Sequence, residues 1–177
     1  MLTLGTPTSE KNRPESAGAE PTRPDAAQSA AELMEVVTFR VGDQEYCVDI
    51  MVVREIRGWS PPTSLPHAPP YVLGVMNLRG TVVPLLDVSA RLELGPSSPD
   101  ARHVVIIAMV SDQVVGFLVS AVSRVLSVPR SAIQPAPELA ARANGPSPAG
   151  LIATPEGLLR LIDLGALLPP LSQREQT

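Results

Sequence analysis

The sequence predicts an all-β protein of two small barrels side by side, with a short helix after each. Three observations carry this. Apolar and polar residues alternate with a period of two in several segments. Glycine and proline clusters punctuate those segments, and the second half of the chain repeats the pattern of the first. Apolar residues make up 44% of the 177 and aromatics only 3%, so the core has to be built from Val, Leu, Ile and Ala.

From Gly5 to Glu32 the only apolar side chains are alanines. Such a stretch buries too little surface to offset its ordering entropy, so residues 1–34 are expected to be a disordered or loosely helical tail. Val37, Phe39 and Val41 then alternate with Val36, Thr38 and Arg40. Gly42-Asp43-Gln44 turns, and Tyr46, Val48 and Ile50 alternate with Cys47 and Asp49. This predicts a β-hairpin with one face in the core. Met51–Ile56 continues in β-branched residues. Five prolines between Ser60 and Pro70 exclude a helix or a central strand there. A second hairpin follows: Val72–Leu78, a turn at Arg79-Gly80, and Thr81–Leu86. Pro84 has no N–H for a ladder, which puts that position at an edge or a bulge. Asp87 is placed to cap a short helix over Val88–Leu92.

The second half repeats this order. Val104–Val110 and Val114–Val119 match the first hairpin at one constant offset, with Asp43 on Asp112, Gln44 on Gln113 and Ile56 on Val125. The Pro-rich joint recurs as Val128–Pro137. The second hairpin recurs as Leu151–Ala153 and Leu158–Ile162. Asp163 takes the place of Asp87 as a cap. Residues 169–177 read as a C-terminal tail.

Charge and composition exclude several functions. A net charge of −4 argues against nucleic-acid binding, which needs a basic face. Stacking platforms are scarce, with one Trp, two Tyr and two Phe. The longest apolar run, Val104–Val110, is far short of the roughly 20 residues that span a bilayer, so no direct membrane insertion is expected. The N-terminus lacks a signal-peptide pattern, and the single cysteine, Cys47, fits a reducing compartment. His67 and His103 have no partner at metal-ligand spacing, and no phosphate-binding or nucleophile motif occurs. No cofactor or metal is expected.

The segment Val72-Leu-Gly-Val-Met-Asn-Leu-Arg-Gly-Thr-Val-Val-Pro-Leu-Leu-Asp-Val88 closely resembles the most distinctive motif of CheW-like domains. Phe39–Ile50, Val53–Gly58, Val114–Val119 and Ile133–Glu138 also resemble family segments, in family order and spacing. The resemblance covers about Val36 to Leu168. It departs in Cys47, where a small residue such as Gly is common, in the long N-terminal tail, and in the Ala- and Pro-rich stretch Ala140–Pro148.

The resemblance implies a domain over 35–168 of two SH3-like, five-stranded barrels, one at about 36–92 and the other at about 101–168, packed around a shared core. It implies a non-enzymatic adaptor in the cytoplasm, recruited to membrane-associated arrays. There it would couple the cytoplasmic tip of a methyl-accepting chemoreceptor to the regulatory domain of a CheA-type histidine kinase. A non-flagellar pathway (gliding, pili) is the alternative output. A small β-barrel hydrolase is the remote alternative of another class.

Site residues follow, each beside a plainer reading. Arg79 with Gly80 is either a solvated turn or a guanidinium held within about 4 Å of Glu55, where the pair would shape a kinase-docking surface. Val53 is either core or part of that surface. Gly74 is either a strand glycine where another backbone approaches or a side-chain-free gap for the partner. Comparison of the halves gives the rest. The non-core positions of the first hairpin, Val36, Thr38, Arg40, Glu45, Cys47 and Asp49, correspond to Val105, Ile107, Met109, Val114, Gly116 and Leu118. The second set is apolar, so both faces there are expected to be covered. The cover is either barrel-on-barrel packing or a groove for the receptor's helical hairpin, lined by Val104, Val105, Ile107 and Val114.

Overall fold

A computed structural model describes residues 32–137 and 145–169. The expected tails lie outside these apart from residues 32–34 and 169, as does much of the stretch 140–148. The described strands are β1 (Leu33–Val41), β2 (Gln44–Asp49), β3 (Val53–Gly58), β4 (Val72–Leu78), β5 (Thr81–Asp87), β6 (Val104–Val110), β7 (Gln113–Val119), β8 (Ala121–Pro129), β9 (Ile133–Gln134), β10 (Gly150–Thr154) and β11 (Gly157–Leu161). A four-residue helix, Val88–Arg91, follows β5, and a 3-10 turn, Leu164–Leu167, follows β11. Asp87 and Asp163 cap them through Ser89 and Ala90 N–H and through Gly165 N–H.

These strands form a six-stranded sheet, β8-β1-β2-β11-β10-β9, and a five-stranded sheet, β3-β6-β7-β5-β4. The repeat is therefore real, but it does not divide the sheets at the expected boundary between about 92 and 101. Each half gives its first hairpin to the other half's sheet. Hairpin β1–β2 joins β8–β11, and hairpin β6–β7 joins β3–β5. Parallel pairings seal the exchange, Leu161 with Cys47 on one side and Leu86 with Phe117 on the other. Only β9 lacks a strand counterpart, and the isolated bridge Thr63–Val75 stands in its place. The first strand also reaches two residues into the expected tail, because Met34 is buried in a core.

Three cores result. Val36, Cys47, Ile152 and Leu159 fill the inside of the six-stranded sheet. Leu85, Val105, Ile107 and Leu118 fill the five-stranded one. The largest core lies between the sheets, where Val37, Phe39 and Val48 meet Ile106, Val115 and Phe117. The expectation that the first hairpin buries one face is corrected here. Val36, Thr38 and Cys47 are buried as fully as their counterparts in the second half. A barrel wall that also packs on a neighbouring barrel is covered on both sides. Thr38 is tolerated there because its hydroxyl donates to Arg124 C=O and accepts from Arg124 N–H at a bulge.

Candidate functional site

β3 and the β4–β5 turn lie at opposite ends of the strand order in the five-stranded sheet, and a side-chain contact joins them. Arg79 and Gly80 both take positive φ, 51° and 87°, as a two-residue hairpin turn requires. Asn77 Oδ1 accepts from Gly80 N–H at 2.8 Å and fixes the turn. Arg79 is thereby held over β3, where its Nη2 donates to Glu55 Oε2 at 2.7 Å. The guanidinium is 80% exposed and the carboxylate 24%, so solvent screens the pair and its worth is chiefly geometric. The other carboxylate oxygen, Oε1, is buried and has no hydrogen-bond partner. Arg57 Nη1 stands 3.8 Å from it.

A groove of about 320 Å3 opens here. Arg54, Glu55 and Arg79 form its polar side, and Leu78, Met109 and Val114 its apolar side, with the buried Ile107 beneath. Residues that the sequence assigned to two different surfaces, Glu55 and Arg79 for the kinase and Val114 for the receptor, thus line one groove. Sequence reasoning missed Arg54 and Leu78, and it placed Met109 on the apolar face without naming it in the groove. The signal available for Met109 was its place opposite Val114 on the paired strand.

The remaining predicted residues go elsewhere. Val53 is half-buried against the inter-sheet core. Val104 packs on that same core at the far end of β6. Val105 and Ile107 are both fully buried inside the barrel and present no surface, which corrects their expected place in a groove wall. Gly74 has φ +141°, and a Cβ there would lie 2.1 Å from the Thr63 carbonyl oxygen. Its missing side chain accommodates the Thr63–Val75 bridge, whose two N–H···O bonds are both 2.8 Å. The gap is therefore filled by the chain's own backbone.

A second depression, of about 420 Å3, lies between the sheets and is lined by Met34, Val48, Val52, Met109, Val110 and Leu164 among others. Met109 borders both depressions. Among the described residues no cluster of His, Cys, Asp and Glu could hold a metal, and no helix is long and apolar enough to cross a membrane. Cys47 is buried, and desolvation pushes its thiol up to about 12, far from the range of a nucleophilic cysteine. Asp100 is held well below the usual carboxylate range by hydrogen bonds from Arg102 and His103.

The profile of the CheW-like domain family matches residues 35–171. The chain is 51% identical over 133 residues to the probable chemotaxis protein CheW of Rhizobium etli, covering 75% of this chain and 86% of that protein. It is 50% identical over 135 residues to the chemotaxis protein CheW of Rhizobium meliloti, covering 76% and 87%. In structure it resembles the scaffolding protein TtCheW from Thermoanaerobacter tengcongensis, with a TM-score of 0.70 and 26% identity over 76% of this chain and 91% of that one.

Proposed function

The chain belongs to the CheW-like family of chemosensory scaffolds, and from that premise we propose that it couples the cytoplasmic tip of a chemoreceptor to the regulatory domain of a CheA-type histidine kinase. It does so without chemistry of its own, in the cytoplasm and within a membrane-associated receptor array. The kinase docks on the groove at Glu55 and Arg79. The observation that carries this is the ion pair itself: a hairpin tip strapped to an edge strand beside an apolar floor. That arrangement gives a partner a rigid rim and a hydrophobic centre, the anatomy of a specific interface.

The depression between the sheets, floored by Val48, Met109 and Val110, is the better seat for the receptor's helical hairpin. An apolar trough between two walls suits a helix face, and of the residues first considered for it Val104 packs on the same core.

The test is titration of the full chain with the CheA-type kinase of its own cell, by calorimetry. Arg79→Glu, at the exposed tip, reverses the charge of the rim. It is expected to weaken binding about tenfold or more, as truncating a paired interfacial charge does, while the melting temperature holds. Kinase binding as tight as wild type would remove the groove from the proposal.

A further inference from the structure

On a regular strand neighbouring residues point to opposite faces, yet Arg54 and Glu55, consecutive on β3, both line the docking groove. The cause lies in the ladder. Val53 pairs with Ala108 and Glu55 with Ile107, so Arg54 is an extra residue with no partner on β6. This is a β-bulge, which bends its strand and re-aims the side chains around it. The same bulge recurs in the other half. There Val122 pairs with Phe39 and Arg124 with Thr38, which leaves Ser123 as the extra residue. Val53, Arg54 and Glu55 thus match Val122, Ser123 and Arg124 at the constant offset of the first hairpins. Both barrels use the backbone device, and only the five-stranded one places a cation on it.

That cation has no counter-charge. Glu55 is the sole carboxylate among the groove's lining residues, and its charge is already answered. Its Oε2 accepts from Arg79 Nη2 at 2.7 Å, and its buried Oε1 has Arg57 Nη1 at 3.8 Å. Arg54 is exposed, and its guanidinium makes no ion pair or hydrogen bond among the described residues. The whole chain carries a net charge of −4, so the groove is a local reversal of sign. A free guanidinium beside an apolar floor selects a carboxylate, whose two oxygens match its planar fork.

We propose that Arg54 is a specificity-determining residue of the groove: the kinase segment seated there carries an Asp or Glu opposite it, beside aliphatic side chains that meet Leu78, Met109 and Val114. This rests on the kinase-docking reading above and names the chemistry of the partner at that site.

The probe is the CheA-type kinase of the same cell, titrated onto the full chain by calorimetry at several sodium chloride concentrations. Arg54→Gln is expected to weaken binding about three- to tenfold at low salt. The gap from wild type should close toward about 1 M salt, where screening removes exposed charge contacts. Arg54→Glu is expected to weaken binding about tenfold or more. Both variants keep the melting temperature, because the side chain is exposed. Arg130→Glu changes the net charge as Arg54→Glu does, at an exposed residue after β8 in the other sheet, and is expected to bind as wild type. Arg54→Glu binding like wild type while Arg79→Glu does not would overturn the proposal and leave the docking groove standing. An Arg54→Gln loss that is equal at every salt concentration would also overturn it, since the guanidinium then meets a neutral acceptor. So would an equal loss in Arg130→Glu, which net charge alone explains. If neither Arg54→Glu nor Arg79→Glu weakens binding, the groove itself falls.

Discussion

Gly74 and Gly150 occupy equivalent positions in the two halves, and each admits a neighbouring segment. A Cβ on Gly74 would lie 2.1 Å from a backbone oxygen, and the residue sits at φ +141°. A Cβ on Gly150 would meet the Ile133 Cγ2 at 2.6 Å and the Gln134 carbonyl oxygen at 3.2 Å, and its φ is ordinary. Backbone thus stands 1.1 Å closer at Gly74, and only there does the φ add strain. Gly74→Ala is therefore expected to cost about 2–3 kcal/mol or more of stability, and Gly150→Ala about half of that, read from denaturant midpoints. Equal costs would show that the backbone at Thr63 shifts freely. Cys47 and Gly116 form another such couple, both inside a barrel. The Gly116 position has Leu85 and Val105 methyl groups at 3.0 and 3.1 Å from a would-be Cβ, which explains why only the smallest residues fit. An ordinary thiol ionises near 9.0, and burial pushes Cys47 up to about 12. Above pH 9 the unfolded chain releases this proton while the native chain keeps it, so stability falls as pH rises from 9 toward 12. Cys47→Ala is expected to lose less over that window than wild type. Parallel melting curves for the two would refute the assignment.

At the scale of elements, the two caps look alike in sequence but carry different loads. Asp163 accepts from one backbone N–H, that of Gly165, at 2.8 Å. Asp87 is buried and accepts from Ser89 and Ala90 N–H, from Ser97 N–H at 2.7 Å, and from Ser97 Oγ at 2.7 Å. It ends the helix's orphan donors and also folds the following loop back onto the strand. Asp163→Ala is expected to cost about 1 kcal/mol, as an ordinary cap does, and Asp87→Ala about 2–3 kcal/mol, because buried donors are left unmade. Thermal melts would separate the two. Pro84 was expected at an edge or a bulge, and it lies on an interior strand, β5, between β7 and β4. β5 pairs with β7 only over Leu85–Asp87, so the far side of Pro84 has no ladder to interrupt. Arg91 closes the arrangement by donating to Leu167 and Ala166 C=O, tying the helix of one half to the turn of the other.

For the molecule as a whole, exchanging the hairpins removes the independence that two barrels in sequence would have. Neither half contains a whole sheet, and the largest core belongs to both. Unfolding should thus be a single cooperative transition. A chain cut between Pro99 and Asp100 is expected to give two pieces, each unfolded alone, that regain the native circular dichroism when mixed. A dispersed amide spectrum from either piece alone would contradict this. The loop at 92–103 is the place to cut because it connects the halves without supplying a strand.

By itself the sequence determined most of the elements, the repeat and the caps, because alternation and turn chemistry are local properties that survive in one dimension, whereas the Glu55–Arg79 contact was one of two readings of that turn and needed the barrel to close before β3 met the β4–β5 tip. Which hairpin belongs to which sheet was decided only in three dimensions. Strands apolar on both faces satisfy either partner equally well as a pattern. Packing chose the exchange, burying Val36 and Cys47 inside one barrel and Val105 and Ile107 inside the other. For the same reason, Val105 could be assigned to a groove from its chemistry although it has no surface to offer. Leu78 went unnoticed, and Met109 was left out of the groove, because only the closed barrel brings them beside Glu55.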